Sequence, residues 1–270
     1  MTTNQPGSGV ERIAAAFANP GKRAALMPYL MGGFPSVSGS CGVGKAYIDA
    51  GADLIELGLP FSDPLADGPV IHRAATEALA AGATVDAVLE VGGVLAEKVP
   101  VLAMTYFNLI EFRKIDPLLD RLVELGICGL IVPDLPLEES SVLLAACDAR
   151  GLALVPLVAP TTDEERMEKI CAVARGFIYT VSVTGTTGER QAESSGLAEL
   201  VARVRRHTDL PVAIGFGIGD PEQAARVAEI ADGAIVGTRL VREVAERGAA
   251  GEDAAAAVGA VVEEFAAAMR

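Results

Sequence analysis

The chain has 270 residues, of which 51% are hydrophobic and 21% are charged. An apolar fraction this high supports a large folded core and excludes a chain that is disordered over most of its length. The 36 acidic and 22 basic residues give a net charge of −14. This charge disfavours nucleic acid and membrane surfaces as partners, because both are negatively charged.

The cysteines and the first residues indicate the cellular compartment. The chain has four cysteines, Cys41, Cys128, Cys147 and Cys171, and no pair of them has C-x-x-C spacing. Only two histidines are present. Neither a zinc site nor a disulfide framework is therefore expected. Residues 1–9 are polar and are predicted to be a flexible N-terminus without signal-peptide features. No run of 18 apolar residues occurs, and a cytoplasmic protein is expected.

Short apolar segments alternate with longer amphipathic stretches along the whole chain. Eight of these segments are predicted strands, at 25–32, 53–58, 100–105, 129–133, 152–157, 177–181, 211–215 and 233–237. Their continuous apolar character is typical of parallel strands that are covered on both faces. The stretches 116–125, 137–149 and 220–230 are predicted helices. Two of them open with Asp-Pro, an N-cap followed by proline at the first helical position.

The element pattern indicates an α/β fold. Eight strand–helix units of roughly 34 residues each match a single (β/α)₈ TIM barrel over residues 10–270. Residues 10–20 are predicted as an extra N-terminal helix that closes the barrel floor, and 251–270 as a final helix. A doubly wound sheet is the alternative, but its G-x-G-x-x-G loop should follow the first strand, where Gly32 and Gly33 precede Phe-Pro.

Glu56 is the first candidate for chemistry, because it interrupts a continuous apolar strand. Burial of a carboxylate is costly and should raise its pKa, which suits a group that gives and takes protons near neutral pH. A glutamate that is satisfied by a distant arginine or a buried water is the structural alternative. The loop 59–69 follows, with two aspartates and three prolines; turn formation alone would account for its Asp-Gly and Asp-Pro pairs.

Glycines follow the last three predicted strands, at Gly185 and Gly188, at Gly215, Gly217 and Gly219, and at Gly237, which precedes Thr238. In a TIM barrel the loops after strands seven and eight commonly bind phosphate, through backbone N–H groups and a helix N-terminus. The pattern therefore indicates a phosphorylated ligand. Tyr29, Met104, Ile131, Pro133, Tyr179 and Phe216 also fall in or at the ends of strands, where they either line an apolar pocket or cap the core.

Several mechanisms lack the residues they need. None of the five lysines lies within or at the end of a predicted strand, which disfavours a Schiff-base aldolase. His72 and His207 are isolated and are expected at the surface, so metal-dependent chemistry is disfavoured. Carboxylate acid–base chemistry on a phosphorylated compound remains.

The string IELGLPFSDPLADGP at 55–69 resembles the signature of the tryptophan synthase alpha chain family. The resemblance continues in order and spacing through MTYFN at 104–108, PDLPLEES at 133–140, VTGTTG at 183–188, GFGI at 215–218 and GAIVGT at 233–238. It implies cleavage of indole-3-glycerol phosphate to indole and glyceraldehyde 3-phosphate.

The resemblance also implies roles for individual residues. The catalytic residues would be Glu56 and Asp67. The substrate pocket would comprise Tyr29, Met104, Ile131, Tyr179, Thr187 and Phe216. Phosphate would be bound by Gly188, Gly217, Gly237 and Thr238.

A tryptophan synthase beta chain is the implied partner, in an α₂β₂ assembly, with Asp63 and Asn108 as contact residues. No metal or organic cofactor is expected in this chain, and pyridoxal phosphate is expected only in the beta chain.

Loops 59–69 and 183–194 have no obvious apolar anchor and are expected to be mobile. Two other functions stay open: a free-standing indole-3-glycerol phosphate lyase, and a non-catalytic subunit that binds a sugar phosphate and regulates a partner.

Overall fold

The protein is a parallel (β/α)₈ barrel. The computed structural model describes residues 7–18, 21–181, 194–215 and 217–270. Within these residues nine strands form one sheet: β1 Ala25–Met31, β2 Ile55–Gly58, β3 Val101–Met104, β4 Gly129–Ile131, β5 Ala153–Val155, β6 Leu157–Val158, β7 Ile178–Val181, β8 Val212–Gly215 and β9 Gly233–Val236. All pairings are parallel, in the order β5-β4-β3-β2-β1-β9-β8-β7-β6.

Twelve α-helices are present in the described residues: α1 Gly9–Phe17, α2 Val37–Asp49, α3 Pro69–Ala80, α4 Val85–Ala96, α5 Phe107–Arg113, α6 Ile115–Glu124, α7 Ser141–Asp148, α8 Glu164–Val173, α9 Ser194–Val204, α10 Pro221–Ala228, α11 Thr238–Ala249 and α12 Ala254–Ala268. A 3₁₀ helix, Leu137–Glu139, precedes α7. None of these helices alone is long and apolar enough to span a membrane. Only α3 and α4 taken together, with a bend of 111° between them, have the length and composition.

The predicted strand at 152–157 is two short strands, β5 and β6, which are separated by Pro156. Proline has no N–H group and cannot donate a ladder hydrogen bond, so the strand is interrupted there. The Pro156 carbonyl group still accepts from the Tyr179 N–H group at 3.1 Å. Because β5 and β6 are the two ends of the sheet and adjoin in sequence, they complete the barrel as its fifth strand. The other seven predicted strands are confirmed, each one or two residues shorter than predicted.

The extra N-terminal helix closes the barrel floor, as predicted. The helix begins at Gly9, one residue earlier than expected, because Ser8 and Glu11 form a capping box. Ser8 Oγ accepts a hydrogen bond from the Glu11 N–H group at 3.3 Å. The Glu11 carboxylate accepts one from the Ser8 N–H group at 2.6 Å. Phe17 packs against Phe177 at the start of β7, with ring centroids 5.2 Å apart. Arg12 donates to the Gly126 carbonyl group at 2.6 Å. These contacts leave the opposite, C-terminal end of the barrel as the open mouth.

The Asp-Pro interpretation is correct for α10 and wrong for α6. Asp220 is the N-cap of α10 and accepts from the Gln223 N–H group at 2.7 Å. The N-cap of α6 is instead Lys114, whose φ of 68° turns the chain between α5 and α6. Asp116 therefore lies in the first turn of α6, where its charge still complements the helix dipole.

Candidate active site

Glu56 lies in β2 on the inner face of the barrel, with its side chain only 1% exposed. Its neighbours in register are Tyr29 of β1 and Leu102 of β3. Its Oε1 atom is buried without a hydrogen-bond partner among the described residues. Burial, and secondly the charge of Asp67, raise the pKa of Glu56 to about 8. The structure thus provides a buried carboxyl group that is protonated at neutral pH and whose Oε1 atom has no partner among the described residues.

Asp67 is the second carboxylate of the site and lies half-buried in the loop between β2 and α3. Its Oδ1 atom also has no hydrogen-bond partner among the described residues. Burial raises its pKa to about 6, against the opposing effects of a hydrogen bond with Tyr106 and the charge of His72. At neutral pH Asp67 is therefore ionised while Glu56 is protonated. Two carboxyl groups with separated pKa values can act as acceptor and acid in one site.

The loop that carries Asp67 has an aromatic anchor, which corrects the expectation that it has none. Tyr106, directly after β3, stacks against Phe61 with ring centroids 5.3 Å apart. The Tyr106 hydroxyl group accepts from the Ala66 N–H group at 3.1 Å. Sequence reasoning had not placed Tyr106 in the site. Its position at the C-terminal end of a barrel strand was the available signal.

Tyr29 and Tyr179 lie beside the carboxylates. Both are buried, and burial raises the pKa of each phenol above its usual value, with further increases from the charges of Glu56 and Asp67. Tyr179 therefore lies within electrostatic reach of both carboxylates, and its role in the site stays a prediction.

Each of these two rings lies over a glycine of the neighbouring strand. A Cβ atom on Gly58 would lie 2.0 Å from the Tyr29 hydroxyl oxygen. A Cβ atom on Gly215 would lie 2.4 Å from the Tyr179 hydroxyl oxygen. Only glycine leaves room for the rings at these positions, so the two glycines shape the pocket wall.

The described part of the predicted apolar pocket is brought together. Met104 pairs with Gly58 on one side and with Ile131 on the other, so the two side chains extend the row above Glu56. Both are buried. Thr187, Gly188 and Phe216 lie outside the described residues, as does most of the predicted mobile loop 183–194.

The glycine-rich turns meet at the same mouth. Gly217 has a φ of +86°, which other residues adopt only with strain. Gly237 is the N-cap of the twelve-residue helix α11, and no side chain caps its first turn. A Cβ atom on Gly237 would lie 3.5 Å from the Tyr29 Cβ atom. The N–H groups that begin at Thr238 therefore border the pocket and are available to an anion.

The rim beside Asp67 is exposed. Asp63 in the loop and Asn108 in α5 are both exposed. Two apolar side chains accompany them, Leu65 with 76% and Phe112 with 81% of its surface exposed. An exposed apolar pair next to a functional loop is typical of a surface that binds another protein.

The residues that the disfavoured mechanisms would need do not come together in the described part of the chain, although the charge of His72 acts on Asp67. His72 is exposed, and His207 contacts Glu164 at 3.0 Å. Lys22 pairs with Asp53 at 2.8 Å, ahead of β1 and β2 and at the end of the barrel opposite the mouth. In the described ranges no three His, Cys, Asp or Glu side chains cluster as metal ligands.

A family profile described as tryptophan synthase alpha chain matches residues 16–270. The tryptophan synthase alpha chain of Carboxydothermus hydrogenoformans is 47% identical over 236 residues, which are 86% of this chain and 88% of that protein. The one of Prochlorococcus marinus is 49% identical over 226 residues, 83% of this chain and 82% of that protein.

Solved structures agree with these sequence matches. Tryptophan synthase of Mycobacterium tuberculosis matches with a TM-score of 0.87 at 36% identity, over 98% of this chain and 99% of that chain. The tryptophan synthase alpha subunit of Legionella pneumophila matches with a TM-score of 0.88 at 35% identity, over 97% and 98%.

Proposed function

The chain belongs to the tryptophan synthase alpha chain family, and from this premise we propose that it cleaves indole-3-glycerol phosphate to indole and glyceraldehyde 3-phosphate. The observation that carries the proposal is the pair of carboxylates Glu56 and Asp67, each with a buried oxygen atom that has no hydrogen-bond partner among the described residues. Such atoms are costly to bury unless a ligand satisfies them.

Glu56 performs the two proton transfers of the reaction. With a pKa of about 8 it is protonated at neutral pH and donates its proton to C3 of the indole ring. The bond between C3 and the glycerol chain then breaks. The glutamate that has lost its proton takes one from the hydroxyl group on the departing carbon, which becomes the aldehyde. One proton moves from oxygen to carbon, and Glu56 returns to its starting state.

Asp67 stabilises the charge that this protonation creates. Addition of a proton at C3 places positive charge on the indole nitrogen. An ionised carboxylate accepts a hydrogen bond from that N–H group and favours the indolenine tautomer. The pKa of about 6 keeps Asp67 ionised at neutral pH. Each positioned acid or base typically contributes ~10²–10⁴-fold to the rate.

The remaining site residues bind the two ends of the substrate. Tyr29, Met104, Ile131 and Tyr179 form the apolar walls for the indole ring, to which the resemblance adds Thr187 and Phe216. The phosphate is bound by backbone N–H groups, which explains how a chain with a net charge of −14 takes an anion. The phosphate-binding residues are Gly188, Gly217, Gly237 and Thr238.

The partner is a tryptophan synthase beta chain, in an α₂β₂ assembly. The rim of Asp63, Asn108, Leu65 and Phe112 is the proposed contact surface, because it combines polar groups with exposed apolar side chains beside the catalytic loop. Pyridoxal phosphate belongs to the beta chain, and this chain works without a metal or organic cofactor. Residues 10–270 form a single barrel domain, whose first helix is capped by Ser8, while residues 1–6 of the N-terminal segment lie outside the described residues. The protein acts in the cytoplasm.

The test is to incubate the purified chain with indole-3-glycerol phosphate and to measure both products, with and without the cognate beta chain. The proposal predicts indole and glyceraldehyde 3-phosphate in equal amounts and a rise in rate with beta chain. Equal products with no change in rate on addition of beta chain would favour a free-standing lyase. Binding of the substrate without either product would favour a non-catalytic subunit.

A further inference from the structure

We propose that Tyr106 is the positioning residue for Asp67: its hydroxyl group bridges the backbone of the catalytic loop and the carboxylate that acts on the indole nitrogen. This inference rests on the function proposed above for Asp67. The evidence for it is the geometry at the end of β3, where Tyr106 is only 4% exposed and contacts the loop through both its ring and its hydroxyl group.

The hydroxyl group has two roles in this geometry. It accepts a hydrogen bond from the Ala66 N–H group at 3.1 Å, which fixes the backbone one residue before Asp67. A phenol that accepts on oxygen still has its own proton to donate. The Asp67 side chain is the hydrogen-bond partner for that proton. The second Asp67 oxygen, Oδ1, stays without a described partner and is available to the substrate.

The ring is held by a rigid frame. Thr105, the preceding residue, donates its N–H group to the Ile131 carbonyl oxygen of β4 at 3.0 Å. Phe107, the following residue, donates its N–H group to Asp134 Oδ1 at 2.9 Å. The loop side chain Phe61 stacks on the ring. Tyr106 therefore links the loop to the sheet, and a residue on a strand end positions a carboxylate more accurately than a loop alone.

The groups around Asp67 set the direction of the expected pH effect. Glu56 of β2 and Tyr29 of β1 face it from the barrel wall, Tyr179 faces it from β7, and His72 approaches from α3. Burial raises the pKa of Asp67, and among the opposing effects the hydrogen bond from Tyr106 comes before the charge of His72. Loss of the Tyr106 hydroxyl group should raise the pKa of Asp67 further, so that the carboxylate is lost at a higher pH.

The test compares Tyr106→Phe with Tyr47→Phe. The first variant keeps the ring that stacks on Phe61 and removes only the hydroxyl group. The control removes another buried tyrosine hydroxyl group, which donates to the Tyr29 carbonyl oxygen at 3.4 Å and does not contact the loop. Two readouts need no substrate: hydrogen exchange of the Ala66 amide, and the pH titration of the Asp67 carboxyl carbon by NMR.

In Tyr106→Phe we expect faster exchange at Ala66 and titration of Asp67 at higher pH, with neither change in Tyr47→Phe. In the cleavage assay we expect kcat to fall by about 10-fold or more, with KM nearly unchanged and the acid limb of the kcat profile moved to higher pH.

Unchanged exchange and titration in Tyr106→Phe would overturn the positioning role, whatever the activity. If both change while the wild-type chain cleaves no indole-3-glycerol phosphate, the positioning role stands and the proposed reaction fails. A fall in kcat with an unmoved acid limb would also overturn the proposal, because the hydroxyl group would then act without affecting Asp67.

Discussion

Gly58 and Tyr29 are fitted to each other across β1 and β2: a Cβ atom on Gly58 would lie 2.0 Å from the Tyr29 hydroxyl oxygen and 2.5 Å from its Cζ atom. Tyr29 pairs with Glu56 in the sheet, and its ring extends over Gly58, two residues further along β2 toward the barrel mouth. Because Gly58 has no Cβ atom, the Tyr29 ring fits beside it and forms one wall of the proposed substrate pocket.

Gly58→Ala should therefore displace Tyr29 and raise KM for indole-3-glycerol phosphate. Overpacking of this kind costs about 1–3 kcal/mol. Tyr29→Phe should rescue the variant only in part, because Cζ remains too close, whereas Tyr29→Leu should relieve the clash. The check is KM and Tm for the single and double variants, with Gly248→Ala as the control, since that exposed helical position has open space. If the effects of Gly58→Ala and Tyr29→Leu on KM and Tm were strictly additive, the close contact between Gly58 and Tyr29 would not be their cause.

The pH dependence of cleavage should be bell-shaped. Asp67 must be ionised, so activity is lost as the pH falls through about 6. Glu56 must be protonated, so activity is lost as the pH rises through about 8. The measurement is kcat/KM across the range from pH 5 to 9. Asp67→Asn should abolish most of the activity at every pH, and a profile that is flat over this range would be inconsistent with the two roles.

Phosphate binding should depend on the conformation of Gly217. Its φ of +86° is unfavourable for a β-branched residue, so Gly217→Val should distort the turn and raise KM with a smaller effect on kcat. Gly82→Val is the matched control, with a similar φ of +85° and open space around it, in the turn between α3 and α4. Binding of inorganic phosphate, measured calorimetrically, should be lost only in Gly217→Val. Equal losses in both variants would indicate general strain instead of a phosphate site.

Activation by a beta chain should pass through the loop that carries Asp67. Asp63 is exposed on that loop, four residues before the carboxylate. Asp63→Ala should weaken the rise in cleavage rate on addition of beta chain more than it slows the isolated chain. Asp209→Ala, an exposed position before β8 at the opposite end of the barrel, should respond as wild type does. If Asp63→Ala is activated normally, this route of coupling is wrong.

Functional residues that interrupt a local sequence pattern could be predicted from the sequence alone. Glu56 stands out because a carboxylate interrupts an apolar strand, and the eight strand–helix units indicate the barrel by their number and spacing. Relationships across the barrel were not visible, because they depend on register. The fit of Tyr179 over Gly215 and the contact of Tyr106 with Ala66 join residues about 36 and 40 positions apart. Pro156 was read as part of a strand because the apolar run continues across it, although the proline itself is a signal of a break in the hydrogen-bond ladder.

The central claim is that Glu56 carries both proton transfers, and the kcat of Glu56→Gln tests it most directly. Glu77→Gln is the control, since Glu77 is exposed on α3 and pairs with Arg73. The substitution at Glu56 should not unfold the protein. Burial raises the pKa of Glu56 from 4.5 to about 8, so the wild type loses stability as the pH rises through this window and the neutral variant does not.

The measurement is the release of glyceraldehyde 3-phosphate and indole at pH 7 by the folded variant, with its Tm determined in the same buffer. The account predicts a Tm no lower than that of the wild type, nearly unchanged KM, and a kcat reduced by ~10²-fold or more. A folded Glu56→Gln protein that releases both products at close to the wild-type rate would contradict it.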